Sequence, residues 1–258
     1  MRLALDIGGT YLRWEVVGSV AGKEKIDTID LQTFIATLIE KYQIQALAAS
    51  IAGQVYDNRV LSAPNIAHLP DFEAFDIPYI LENDLKCAAL AEAKFFECDY
   101  LVALYSGTGL GSGAIENGKI VRGWHNLATE IGHIPYKEAP FRCGCGKDNC
   151  LELFASGSAI EKWAHYWQIE PSLQEERIKK MVQNALAHAA AVLITLCNPK
   201  ILVLGGGVVE HNPFLVDAVR QKLPKLAPAF AYNETQITLT QLENASLEGA
   251  KILLERLV

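Results

Sequence analysis

Cys143, Cys145 and Cys150, together with His133, offer three thiols and an imidazole within one short segment. Thiolate and imidazole are the ligands zinc prefers, and four of them leave no coordination position open, so a zinc ion here is expected to be structural rather than hydrolytic. Gly144 and Gly146 let the backbone wind tightly around an ion. Glu130 and Glu152 bracket the segment, so the metal would hold two carboxylates near one point. Ordinary apolar thiols, or a disulfide with a spare thiol, are the competing readings. No apolar leader is expected at Met1-Arg2-Leu3, and Cys87, Cys98 and Cys197 lie in apolar or helical runs, which argues against disulfides.

Three glycine-rich loops form the second group of candidates: Asp6-Ile7-Gly8-Gly9-Thr10, Ser106-Gly107-Thr108-Gly109 and Gly205-Gly206-Gly207. Backbone N–H groups in such turns can approach phosphate oxygens closely without any net positive charge. Taken singly, each is also an ordinary turn. Neither of the first two ends in the Gly-Lys-Ser/Thr of a P-loop, and neither opens a helix as the dinucleotide fingerprint requires, so a different phosphate clamp is expected. Glu82-Asn83-Asp84 adds two acids and an amide. An aspartate can accept the proton of an attacking hydroxyl while Mg²⁺ and backbone amides offset charge on the transferred phosphoryl group, which makes Asp84 the candidate base. Asn83 or Asp84 would also serve as a helix N-cap, and the two roles can coexist.

The elements that must position these residues follow from periodicity. Arg2–Ile7 and Tyr11–Val17 read as a hairpin whose turn is Gly8–Thr10, and Leu31–Tyr42 carries Phe34, Ile35, Leu38 and Ile39 at helical spacing. Ala46–Ile51 is a buried strand leading to Gly53. Pro78–Asn83 runs from strand into a helix over Leu85–Phe96. Tyr100–Ile115 repeats the opening design of strand, glycine turn and strand. A long helix over about Gln174–Leu196 precedes a strand at Lys200–Leu204. The alternation argues for α/β architecture, with ligands at the glycine-rich strand ends, and two similar hairpins suggest two related lobes. No low-complexity linker is visible, so the lobes are expected to be joined by crossing strands or helices.

With 258 residues, 50% hydrophobic and 21% charged, the chain can bury one large core or two modest ones. Its net charge of −7 weighs against nucleic acid as a partner, because that affinity rests on clustered Lys and Arg. The longest apolar stretch, Ala185–Cys197, is too short to span a bilayer and reads as a buried helix, so no membrane partner and a cytoplasmic location are expected.

In their order along the chain, the Asp6-x-Gly-Gly-Thr, Glu82-Asn-Asp84, Ser106-Gly-Thr-Gly, Glu130-x-Gly-His133, Cys143-x-Cys-Gly-x-x-x-Cys-x-Glu152 and Leu204-Gly-Gly-Gly207 motifs resemble the ROK family of bacterial sugar kinases and repressors. The resemblance covers nearly the whole sequence. It implies an actin/hexokinase-like fold of two ribonuclease-H-like lobes with a central cleft. Residues 1–100 would form the first lobe, completed by a C-terminal helix at about 243–258, and 101–242 the second, which carries the zinc loop. Gly8, Gly9, Thr10, Gly107, Thr108 and Gly109 would meet the ATP phosphates, with Gly205, Gly206 and Gly207 near the nucleotide and Asp6 near Mg²⁺. Asp84 would take the proton from a sugar hydroxyl, at O6 of a hexose or N-acetylhexosamine. Asn83, Glu130, His133 and Glu152 would hold the sugar; Gly53, Gln54 and Asn65 align with family positions that also touch it, and equally read as simple turn residues. His133 would use one ring nitrogen on zinc and keep the other for a hydroxyl or carboxylate.

A homodimer is expected on the same grounds. A sugar-sensing regulator of the family is the alternative, but it would carry a helix-turn-helix ahead of the first glycine hairpin, which here begins at residue 6; a catalytically inactive sugar-binding relative is the other alternative. The sequence departs from the family at Thr129, where a glycine commonly precedes Glu-x-Gly-His. It departs also at Trp124-His125-Asn126, at Lys147-Asp148-Asn149 before the last cysteine, and in trimmed loops around 18–30 and 55–80.

Overall fold

The first strand, β1 (Arg2–Ile7), is buried from Leu3 onward, and β2 (Tyr11–Val16) alternates, with Leu12, Trp14 and Val16 facing the core. They form an antiparallel hairpin, and β3 (Val20–Lys25) adds an outer strand with no buried residue. Its alternating lysines suit an exposed sheet edge. The computed structural model describes residues 1–257. Helix α1 (Leu31–Tyr42) starts where the Asp30 carboxylate accepts the Thr33 N–H at 2.8 Å, a bond that lowers the Asp30 pKa, and stops at Gln43 in the left-handed conformation. Leu31, Ile35 and Leu38 recur at helical spacing and are buried.

Strand β4 (Ala46–Ile51) then returns parallel to β1 with all six residues buried. A small hairpin, β5 (Gln54–Tyr56) and β6 (Arg59–Ser62), precedes β7 (Tyr79–Asn83), which is parallel to β4 and leads directly into α2 (Asp84–Phe95). The sheet order is β3-β2-β1-β4-β7.

A second sheet repeats this plan. Strands β8 (Leu101–Ser106), β9 (Leu110–Glu116) and β10 (Lys119–Ile120) form the antiparallel part. After α3 (Glu152–Ala155), α4 (Gly157–Trp167) and α5 (Glu176–Cys197), strand β11 (Ile201–Gly205) pairs parallel to β8. The one-turn α6 (Gly207–Glu210), α7 (Phe214–Lys222) and α8 (Ala229–Tyr232) lead to β12 (Gln236–Leu239), and the order is β10-β9-β8-β11-β12. Numbered by their own strands, both sheets read 3-2-1-4-5.

The chain divides into two compact units. One comprises Met1–Ala91, Arg122–Ala128 and the stretch from Asn244 on; the other comprises Glu92–Val121 and Thr129–Glu243. The first division falls inside α2, so a helix rather than a linker carries the chain from one unit to the next. Helix α9 (Ala245–Leu254) belongs to the first unit.

Among the described residues, α5 is long and apolar enough to cross a membrane, with a mean hydropathy of 1.3 over its most apolar window. The apolar stretch Ala185–Cys197 is the second half of the long helix also read from sequence, here Glu176–Cys197. Ile178, Val182, Ala185, Leu186, Ala189 and Leu193 are all buried in the core of the second unit, which accounts for the apolar face without a bilayer.

Two buried features hold elements that carry candidate site residues. In the first unit a Cβ on Gly249 of α9 would sit 2.0 Å from the Cys87 carbonyl oxygen of α2. The two backbones therefore meet with no room for a side chain. In the second unit Glu92, fully buried near the end of α2, accepts the Tyr105 hydroxyl at 2.6 Å and the Thr240 hydroxyl on one oxygen, while the other oxygen has no partner. Burial raises the Glu92 pKa against the lowering effect of these two bonds.

Gly249→Ala should lower unfolding free energy by about 1–3 kcal/mol or more through overpacking, read by urea denaturation. An unchanged midpoint would mean that α9 does not press on α2 at this point. For Glu92 the sign follows from the raised folded pKa: its stabilising contribution is complete below the unfolded value and is lost as pH rises through the folded value. Denaturation of wild type and Glu92→Gln across pH should therefore show wild type losing stability relative to the variant from acid towards neutral pH. Parallel curves would contradict a shifted carboxyl.

Candidate functional site

In the first unit the register of three parallel strands makes a row of polar residues. Asp6 pairs with Ser50 across β1 and β4, Ser50 pairs with Glu82 across β4 and β7, and Asp6 faces Arg13 across the hairpin. The Asp6 carboxylate accepts the Ser50 hydroxyl at 3.1 Å and the Arg13 guanidinium at 3.2 Å. Burial raises the Asp6 pKa, and Arg13 acts in the opposite direction. Glu82, 2% exposed, accepts Arg122 at 2.5 Å on one oxygen, and Asn126 at 2.7 Å and the Asn83 N–H at 2.9 Å on the other. Arg13, Ser50 and Arg122 were not among the residues singled out from sequence, and Asn126 was noted only within the Trp124-His125-Asn126 departure.

Beyond this row, β7 turns into α2, and Asn83 makes the turn. Its side-chain oxygen accepts the N–H groups of Leu85 and Lys86 at 3.1 and 3.2 Å, so Asn83 supplies the N-cap that the sequence left open between it and Asp84. The Asn83 amide nitrogen donates to the Gly53 carbonyl at 3.0 Å and to the Asp84 carboxylate at 2.9 Å, and Leu85 N–H donates to the same carboxylate oxygen at 3.0 Å. Gly53, Asn83 and Asp84 are thereby gathered, with the carboxylate at a helix N-terminus, where the helix dipole favours negative charge. Gly8, Gly9 and Thr10 form the β1–β2 turn, closed by a 3.1 Å bond from Gly8 N–H to the Tyr11 carbonyl. Asn65 lies beside it, with its Cβ 3.0 Å from where a side chain on Gly9 would begin. Gln54 opens β5 and is exposed.

The second unit assembles the remaining candidates. Gly107, Thr108 and Gly109 turn between β8 and β9, and their carbonyls at 107 and 108 accept the N–H groups of Gly157 and Ser158 at the start of α4, at 2.7 and 3.3 Å. Glu152, the first residue of α3, accepts the Leu110 N–H at 3.2 Å, which places its carboxylate against this turn. Gly132 sits in a 3-10 turn over Ile131–His133, where a Cβ would fall 2.1 Å from the Leu110 carbonyl oxygen. Only glycine permits that approach. Gly205 ends β11 against the Tyr105 ring; Gly206, at φ +82°, turns the chain so that Gly207 opens α6. Glu130 is exposed, one residue before the 3-10 turn.

Thr129 explains a departure read from sequence. Its φ of +72° lies in the left-handed region, which a β-branched residue adopts only at a cost of about 1–3 kcal/mol. Reciprocal bonds hold it there, from the Thr129 hydroxyl to the Ser112 carbonyl at 2.9 Å and from the Ser112 hydroxyl to the Thr129 carbonyl at 2.7 Å. The strain lies immediately before Glu130.

His133, Cys143, Cys145 and Cys150 bring one ligand atom each to within 4.8 Å of one another. His133 Nδ1 lies 3.5 Å from the Cys143 sulfur, and the sulfurs of Cys145 and Cys150 are 3.3 Å apart. Ligands about 2.3 Å from a tetrahedral zinc would be roughly 3.8 Å from each other, so the set needs little adjustment to take the ion. All six cysteines are free. Burial pushes the Cys143 and Cys150 thiols up, whereas the Lys147 N–H lowers Cys145. Two buried thiols require a cation to become thiolates, and this donor set fits one. The Cys143 sulfur also approaches Glu152 at 3.2 Å, so the cysteine cluster abuts the carboxylate that braces the glycine turn.

The sequence signature of the ROK family matches residues 2–256. The chain is similar to an N-acetylmannosamine kinase of Yersinia pestis (strain Pestoides F), at 30% identity over 257 aligned residues that cover 86% of this chain and 89% of that one. A ROK family glucokinase from Streptomyces griseus, solved with glucose and AMPPNP, matches with a TM-score of 0.79 and 27% identity over 98% of each chain. A ROK family transcriptional regulator, a homologue of the E. coli MLC protein, matches with a TM-score of 0.81 and 22% identity over 99% of this chain and 78% of that one. The repeated 3-2-1-4-5 sheets, the glycine turns and the His-Cys cluster agree with these likenesses: the chain belongs to the ROK family, with an α/β fold of the actin/hexokinase-like type.

Proposed function

We propose that this protein is an ATP-dependent kinase that phosphorylates a hexose or N-acetylhexosamine at O6, with Asp84 as general base. The observation that carries the reading is the setting of Asp84: the Asn83 amide and the Leu85 N–H both bond one carboxylate oxygen, which fixes the group at the start of α2. A carboxylate held in this way is oriented before substrate arrives, and orientation is what proton transfer from a sugar hydroxyl requires. Similarity to a glucokinase and an N-acetylmannosamine kinase supports the substrate class.

Asn83, Glu130, His133 and Glu152 are assigned to sugar hydroxyls, with Gly53 and Asn65 as further contacts. The turns at Gly8–Thr10 and Gly107–Gly109, and the Gly205–Gly207 segment, are assigned to ATP. Asp6 is assigned to the neighbourhood of the Mg²⁺ that accompanies the nucleotide and offsets charge on the transferred group. His133, Cys143, Cys145 and Cys150 would hold a structural zinc. With Nδ1 turned to the cluster, His133 keeps Nε2 for a sugar hydroxyl. A homodimer in the cytoplasm completes the reading. A sugar-sensing regulator is disfavoured by the ordered Asp84 setting, and the 22% likeness to such a protein bears on fold alone.

ADP release with ATP and Mg²⁺ against a panel of hexoses and N-acetylhexosamines should depend on sugar in wild type. In Asp84→Ala it should fall by roughly 10²–10⁴-fold, with sugar binding retained by calorimetry. Turnover that survives the substitution would remove Asp84 as base. Cys145→Ser should reduce zinc content measured by mass spectrometry and weaken sugar binding before nucleotide binding. Equal loss of both would assign the metal to the fold of the unit rather than to the pocket.

A further inference from the structure

A cavity of about 270 Å³ in the second unit is lined by Tyr136, Phe154, Trp163 and Trp167, and by Lys137, Arg177 and Lys180. Its rings form a continuous series, with centroid distances of 5.3 Å from Tyr136 to Phe154, 5.5 Å from Phe154 to Trp163 and 4.6 Å from Trp163 to Trp167. The Trp163 N–H is already bonded to the Leu153 carbonyl at 2.8 Å, which leaves the indole to contribute apolar surface. The cations stand at ring faces: the Arg177 guanidinium lies 3.9 Å from the Trp167 centroid and the Lys137 ammonium 4.9 Å from that of Tyr136. None of the three cations forms an ion pair among the described residues. In a chain of net charge −7, three cations without an ion-pair partner at one aromatic cavity give it a local positive charge.

The combination specifies a ligand. The aromatic rings supply an apolar wall for the C–H groups of a small ring, and the Lys and Arg side chains donate to a phosphoryl group, with Arg able to bond two oxygens at once. The volume lies just below the range of about 300–1,000 Å³ common for drug-sized ligands, so a monosaccharide phosphate suits it better than a nucleoside triphosphate. The walls are joined to the candidate sugar residues through short segments. Tyr136 lies three residues beyond His133, just after the 3-10 turn, where Ile134–Tyr136 pairs with the cysteine loop through bonds from Tyr136 N–H to the Asn149 carbonyl at 2.8 Å and from Leu151 N–H to the Ile134 carbonyl at 3.0 Å. Phe154 lies in the same one-turn helix as Glu152.

We propose that this cavity is a second binding site, for a monosaccharide phosphate, through which the product of the reaction proposed above would bias His133 and Glu152. The product assignment rests on the kinase reading; the binding site does not.

The test is a tryptophan-fluorescence and calorimetric titration of the full chain with glucose 6-phosphate and N-acetylmannosamine 6-phosphate. Glucose, inorganic phosphate and AMP form separate arms, and wild type is compared with R177A/K180A and with Trp167→Phe. Both cations are exposed, so the double variant should fold normally, with an unchanged denaturation midpoint. Sugar phosphate should bind wild type and lose at least tenfold in affinity in the double variant. Sugar-dependent ADP release without added sugar phosphate should stay unchanged. Equal affinity in the double variant, or binding by AMP or inorganic phosphate as tight as by either sugar phosphate, would overturn the proposal, as would no binding at all. Because binding is read directly, a silent kinase assay and an empty cavity are separate results.

Discussion

The parallel register of β1, β4 and β7 is the constraint on which the first unit's candidate site depends. It aligns Asp6, Ser50 and Glu82 at neighbouring positions on three adjacent strands, all nearly or wholly buried. Carboxyl groups so placed need hydrogen-bond donors, because burial removes the water that would otherwise satisfy them. Arg13 and Ser50 answer Asp6; Arg122, Asn126 and a backbone N–H answer Glu82. Once Glu82 is pinned, the next residues have little freedom. Asn83 must cap α2, and Asp84 is delivered to the helix N-terminus.

The second unit solves a different problem by a similar route. Its glycine turn between β8 and β9 must come close to the start of α4, to the carboxylate of Glu152 and to the 3-10 turn that carries His133. Close backbone approach is possible only where side chains are missing, which is why Gly132 and Gly206 occupy positions that a Cβ would block. The cysteine cluster then links the two segments that bear His133 and Glu152. A metal ion at that point would act on geometry rather than on reacting atoms, since all four ligand positions are filled by protein.

Thr129 lies at the junction of these constraints. A residue that disfavours left-handed backbone is held there by two reciprocal bonds to Ser112, directly before Glu130. Strain of this kind persists where surrounding contacts over-determine the conformation. It fixes the direction in which the chain leaves the turn towards the 3-10 segment.

Much of this organisation was legible in the residues. The periodicity of Leu31–Tyr42, the unbroken apolar run of Ala46–Ile51 and the glycine turns are local signals, and local physics sets helix, strand and turn without help from distant chain. The spacing of three cysteines and a histidine likewise carries its own chemistry, because ligand preference is a property of the side chains. The length of α5 was legible as well: the helix read over about Gln174–Leu196 is Glu176–Cys197, because its apolar spacing persists through the charged residues of its first half. The partners of Asp6 and Glu82 could not be read at all. Ser50 reaches Asp6 through strand register, and Arg122 and Asn126 reach Glu82 from a segment some forty residues away in sequence. Nothing in the composition of 122–128 marks it as part of the first unit. Sequence determined which groups could do chemistry and which elements carry them. Tertiary structure alone decided which buried charges are compensated, because long-range pairing is chosen by packing and desolvation, and neither leaves a pattern along the chain.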